Sequence, residues 1–201
     1  MNKILLIDGH SILNRAFYGV PPLTNFEGLH TNAVYGFINI MLKSLEDEHA
    51  DYIAVAFDLK APTFRHEMFA EYKGTRKPMP QELHEQVPVI KEVLAAMTIP
   101  VITLEGYEAD DILGTLAKRC QRDGFEVSIL SGDRDLLQLA DEHIKIRMPK
   151  TVKGQTSIEN YYPSDVIDKY QVTPEEFIDL KALMGDSSDN IPGVPGIGEK
   201  T

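Results

Sequence analysis

Lys3-Ile4-Leu5-Leu6-Ile7-Asp8-Gly9-His10 is the stretch on which the fold turns. Its apolar run is too short for a buried helix and is closed by Asp-Gly, so it reads as a strand covered on both faces. The run ends in a carboxylate, and the arrangement returns twice. Tyr52–Phe57 is followed by Asp58, and Glu126–Leu130 leads through Ser131-Gly132 to Asp133 and Asp135. Pro100–Leu104 reads as a further strand, so at least four are expected. Between them, Thr31–Glu48 places Val34, Phe37, Ile38, Met41, Leu42 and Leu45 on one helical stripe, and Glu108–Arg122 is a second helix. Strands alternating with helices predict an α/β fold, a mainly parallel central sheet with helices on both faces.

The rest of the chain departs from that alternation in two places. More than forty residues separate the second strand from the third, longer than a crossover needs. Here Thr63–Lys77 mixes Phe64, Phe69 and Tyr72 with cations, and Pro80–Met97 has helical spacing at Leu83, Val87, Ile90 and Leu94, with Pro88 expected to bend or split the helix. After Pro163 the pattern becomes short helices, Ser164–Tyr170 and Pro174–Met184, and then a Gly/Pro-rich end, Gly193–Thr201. The expected organisation is a core over residues 1–162 and the start of a helical subdomain over 163–201.

Composition removes several classes. With 201 residues and 43% apolar content the chain can bury one ordinary core, and its apolar runs fall far short of a membrane span. A cytoplasmic protein without membrane contact is expected. A single cysteine, Cys120, leaves no internal disulfide and weakens any thiolate zinc site. The net charge of −11 argues against a phosphate-rich partner until its distribution is read. Lys60, Arg65, Lys73, Arg76 and Lys77 face only Glu67 and Glu71 between residues 60 and 80, so that stretch is locally basic.

The acidity gathers elsewhere. In an open parallel sheet the carboxyl ends of the strands lie on one side, so Asp8, Asp58, Asp133 and Asp135 should converge on one rim. Glu108, Asp110 and Asp111 open a helix leaving another strand, and Asp186 and Asp189 stand three residues apart, one helical turn. Any one of these acids alone reads as a turn former or a helix cap. As nine they would repel, since like charges about 4 Å apart cost roughly 4 kcal/mol at a dielectric near 20. Bound cations resolve this, and an all-oxygen set without Cys or His spacing points to hard ions, Mg²⁺ or Mn²⁺. Without the nine acids the balance falls from −11 to −2, so most of the acidity is the proposed site. Two such ions on a phosphodiester suit hydrolysis by water.

With these residues in view, the chain resembles the 5′ nuclease (flap endonuclease-like, PIN-like) domain family of bacterial DNA polymerase I over its whole length. The marks are Leu6-Ile7-Asp8-Gly9-His10, Ala56-Phe57-Asp58, Tyr72-Lys73-Gly74-Thr75-Arg76, Gly106-Tyr107-Glu108-Ala109-Asp110-Asp111, Ser131-Gly132-Asp133-Arg134-Asp135 and the run from Gly185-Asp186 through Asp189-Asn190 to Gly198. The resemblance implies that Asp8, Asp58, Glu108 and Asp110 mostly serve one metal, and Asp111, Asp133, Asp135, Asp186 and Asp189 the second or its water shell. It implies a helical arch within about residues 60–97 that carries Lys73 and Arg76 to the scissile phosphate. Tyr72 is then available for base stacking, with Arg65 and Lys77 as further substrate contacts. Gly193, Gly196 and Gly198 would form the glycine hairpin of a helix-hairpin-helix-type duplex clamp, assisted by K⁺.

The expected partner is DNA with a 5′ single-stranded flap or a nick, including RNA primers in hybrid, and the expected state is a monomer associated with the nucleoid. Because the sequence ends at Thr201, inside that hairpin, the clamp is expected to be cut short. A non-catalytic DNA-binding fragment is therefore the alternative to a two-metal 5′-3′ exonuclease. An aspartyl-phosphate phosphomonoesterase would want an acid two residues after Asp8, where His10 stands. The six histidines show no ligand spacing and receive no catalytic role.

Overall fold

The computed structural model describes residues 1–152 and 155–198. Six strands form one sheet in the order β3-β2-β1-β4-β5-β6. They are β1 (Lys3–Asp8), β2 (Tyr52–Ala56), β3 (Val101–Ile102), β4 (Glu126–Leu130), β5 (Ile144–Val152) and β6 (Gln155–Tyr161). All neighbours are parallel except β5 and β6. The expected four parallel strands are present, although the third is only two residues long.

Alternation along β1 divides the core. Leu5 and Ile7 face the layer made by α1 (Gly9–Gly19), α2 (Asn32–Glu48) and α5 (Gln86–Ala96), packing with Phe37, Met41, Ile90 and Leu94. Leu6 faces the opposite layer, where α6 (Ala109–Arg122), α7 (Pro163–Tyr170) and α8 (Glu176–Met184) contribute Leu113, Val166 and Phe177. Burial on both sides is why β1 reads as an unbroken apolar run. Gly36 lets α2 approach α1 closely, since a Cβ there would stand 2.8 Å from the Ala16 Cβ.

Three elements were not expected. Helix α1 starts directly at the end of β1, with no loop to announce it, because the Asp8 carboxylate caps it by accepting from Ser11 N at 3.1 Å. A 3₁₀ helix, Arg134–Leu139, follows β4. The β5–β6 hairpin carries Pro149 inside a strand, which is tolerated because β5 pairs with β4 only as far as Arg147.

The long insertion splits near Pro88 in its second half as expected, and its first half departs from the expected arch helix. Its helical half divides into α4 (Gln81–His84) and α5, with Pro88 in the first turn of α5, where its missing N–H leaves no bond unmade. Leu83, Ile90 and Leu94 are fully buried, so this half packs onto the sheet layer. Of residues 63–77 only α3 (Phe64–Met68) is helical, and the remainder runs in turns toward the strand ends.

Candidate active site

The order of the sheet reverses direction at β1: the chain steps to β2 and β3 on one side and to β4 and β5 on the other. The crevice above β1 and β4 is thus the place where ligand sites form in open α/β sheets. A cleft of about 1180 Å³ opens there. Asp8, Asp58, Glu108, Asp110, Asp111, Asp133, Asp135, Asp186 and Asp189 all line it.

Asp8 is 5% exposed at the floor. Neutral donors meet both its oxygens, Ser11 N and Ser131 Oγ, the latter at 2.7 Å. Burial outweighs these bonds, and with the charges of Asp58 and Asp133 nearby it pushes the carboxyl up to about 6. Asp110, on the first turn of α6, is raised well above the usual range by burial and then by the charges of Asp8, Asp133, Asp58 and Glu108. Asp133, raised chiefly by burial, also caps the 3₁₀ helix by accepting from Asp135 N at 2.8 Å. At Asp58 burial works upward too. There the contact with His10 and the bond from Ala109 N, 2.8 Å long, prevail and bring it down to about 2.

Cations of the chain itself hold the remaining acids. Lys73 Nζ donates to Glu108 Oε1 at 2.8 Å, and Arg76 pairs with Asp189. Arg65 grips both oxygens of Asp111 at 2.7 and 2.8 Å, and Lys181 bridges Asp135 and Asp186. Among the described residues, no three acids stand close enough together to hold an ion as they are. They share a cleft but not yet a coordination sphere. The donor set nonetheless suits a hard cation: Asp8, Asp110 and Asp133 are desolvated carboxylates, and the charges of neighbouring acids add to the rise that burial causes.

Several expectations need correction. Tyr72 is not available for stacking: it is 6% exposed, and its hydroxyl donates to Glu108 Oε2 and Asp189 Oδ2, both at 3.0 Å. Asp111 has both oxygens held by Arg65, so the two pair with each other at the cleft wall as Lys73 and Glu108 do. Lys73 and Arg76 do reach the cleft, but on turns rather than an arch helix, with Lys73 in the left-handed region (φ 56°). Lys77 is exposed outside the cleft wall. Of the glycines, Gly193 packs against Met184 and Gly185, where a Cβ would lie 2.2 Å from the Met184 carbonyl oxygen. Gly196 has φ +86° and open space around it. Neither these nor Gly198 line the cleft, and Glu199–Thr201 lie outside the described residues.

His10 and Lys181 line the cleft although the sequence pattern gave them no part. His10 Nδ1 stands 3.1 Å from Asp58 Oδ2 and accepts from Asp58 N at 3.2 Å. Its position two residues after Asp8, once α1 is recognised, was the available signal.

A switch-point cleft rimmed by acids on this sheet places the protein among the flap-endonuclease-like α/β nucleases. The chain belongs to the 5′-3′ exonuclease family: residues 3–171 match its N-terminal resolvase-like domain and residues 172–201 its C-terminal SAM fold. Among curated proteins it is 56% identical over 199 residues, 99% of its length, to the DNA polymerase I of Bacillus caldotenax and equally to that of Bacillus subtilis. It spans 22% of the length of each. Two solved structures of the bacteriophage T5 D15 protein are similar over 99% of this chain and 72% of theirs. One, co-crystallised with metal ions, gives 27% identity and a TM-score of 0.76; the other, a flap endonuclease variant in a pseudo-enzyme-product complex with DNA and metal ions, gives 26% and 0.77. Rad2 in complex with DNA shares the fold at 20% identity and a TM-score of 0.58.

Proposed function

We propose that this chain hydrolyses phosphodiester bonds at the 5′ ends and flaps of DNA, including RNA primers in hybrid, with two Mg²⁺ or Mn²⁺ ions in the acidic cleft. The observation that carries the proposal is the convergence of nine carboxylates from separate elements on the switch-point cleft. The likeness to a T5 flap endonuclease held with DNA and metal ions supports it. Bound divalent ions would activate water and neutralise the departing oxygen. Asp8, Asp110 and Asp133 would hold them from the floor, and Asp58, Glu108, Asp135, Asp186 and Asp189 from the rim. Lys73 and Arg76 leave their carboxylates to grip and orient the scissile phosphate as it acquires charge. Water is the nucleophile, so no side chain needs to be an attacking group. The hairpin at Gly196–Gly198, with K⁺, is assigned to the phosphates of the duplex, supported by the open left-handed Gly196.

Incubating the protein with end-labelled flap DNA tests this directly. Short 5′-labelled products are expected with Mg²⁺ and none with chelator. A retarded band without products in either condition would overturn the assignment in favour of a non-catalytic binding protein.

A further inference from the structure

Lys181, one of several cations that line the cleft, has no part in the function proposed above. Lys181, near the end of α8, extends Nζ to 2.8 Å from Asp135 Oδ1 and 3.0 Å from Asp186 Oδ2. The two acids come from distant parts of the chain, Asp135 from the 3₁₀ helix after β4 and Asp186 from the turn after α8. Asp186 is fixed in turn by the N–H and hydroxyl of Ser188, at 2.8 and 2.6 Å. The ammonium therefore joins the sheet core to the helical end of the chain at the acid rim. Like charges repel strongly at a few ångströms, so a divalent ion cannot take these carboxylates while Lys181 stays between them.

We infer that Lys181 is a positioning residue with two settings: it holds Asp135 and Asp186 together in the ion-free protein, and it withdraws into the cleft when a divalent ion binds this pair. It thereby weakens binding of that ion and coordinates its arrival with the release of a mobile positive charge beside the substrate. The inference rests on the reading that divalent ions occupy this cleft.

Calorimetric titration with Mn²⁺ tests it on the parental protein, Lys181→Met and Lys181→Arg. In Lys181→Met the weaker of two ions should bind about fivefold more tightly, with the stronger moving less than about twofold, and Lys181→Arg should restore the parental value. In parental protein, amine labelling of Lys181 read by mass spectrometry should rise about threefold on adding Mn²⁺, while Lys118, paired with Asp141 at 3.3 Å, should not respond. The labelling needs no variant and decides the matter if Lys181→Met does not fold. Two ions bound with equal affinities in parent and Lys181→Met, or labelling indifferent to Mn²⁺, would overturn the role of Lys181 alone. No Mn²⁺ bound by the parental protein would overturn the metal reading and this inference with it.

Discussion

Asp110→Asn is expected to lower flap cleavage in Mg²⁺ by at least about a thousandfold and, in chelator, to make the protein more stable. The two effects share one cause. Burial and the charges of Asp8, Asp133, Asp58 and Glu108 hold Asp110 well above its ordinary range, so its ionised form destabilises the fold wherever no cation neutralises it. An amide removes that charge together with its burial cost and its repulsion toward Asp8, Asp133, Asp58 and Glu108. A partial recovery of about 1–2 kcal/mol should raise the melting temperature in chelator at about pH 7.5 by about 3–6 °C. Activity and thermal melts on the same preparation check both halves. Lost activity with a lower melting temperature would mean that Asp110 holds the fold rather than an ion.

The same groups set a pH dependence. A carboxyl raised in the folded state binds its proton more tightly there than in the unfolded chain. Its contribution to stability is therefore complete below about 4 and lost as the pH rises through about 6. Asp58 and Asp186, both held near 2, act in the opposite sense, and their contribution fades only as the pH falls below about 4. Melting temperature in chelator should therefore fall between about pH 4.5 and about pH 7, and saturating Mg²⁺ should remove the decline. A rise over that interval in chelator would contradict the assigned shifts.

Lys73→Ala should reduce turnover on flap DNA by about a hundredfold to a thousandfold while leaving Mn²⁺ affinity unchanged or slightly tighter. Lys73 Nζ lies 2.8 Å from Glu108 Oε1, inside the cleft, and its backbone N–H donates to the Asp189 carbonyl at 2.9 Å, which fixes the turn that carries it. Deleting the ammonium removes the charge that would meet the phosphate as negative charge accumulates, and also a competitor for metal at Glu108. Single-turnover cleavage and Mn²⁺ titration separate these effects. Parental cleavage by Lys73→Ala would remove Lys73 from the mechanism, and an affinity loss as large as the rate loss would make it a structural support.

The course of the sheet was legible because its strands are buried on both faces. Leu5, Leu6 and Ile7 are all fully buried, so an apolar run marks the strand without help from tertiary context. The acids were legible for a related reason: Asp8, Asp58 and Asp133 follow strands that run in parallel and must share a rim. What stands opposite each acid was not legible. Asp111 looks like its neighbour Asp110, yet Arg65 takes both of its oxygens from 46 residues away, and only the tertiary bridge between Thr63 and Gly106 brings the two together. Tyr72 carries the same ambiguity. Its place among cations reads equally as a stacking ring or a packed one, and its bonds to Glu108 and to Asp189, the latter 117 residues away, decide for the packed ring. Helix α1 was hidden because a single residue, Asp8, is both the end of a strand and the cap of a helix.

Acids from separate elements are proposed to hold a pair of divalent ions at the ends of β1 and β4. An anomalous difference map from a crystal soaked in Mn²⁺ tests it most directly. Two peaks are expected in the cleft, about 4 Å apart, with carboxylate ligands that include Asp8, Asp110 and Asp133, and with Lys181 drawn away from Asp135 and Asp186. A map without peaks in the cleft, or with ions only on other surface carboxylates, would contradict it.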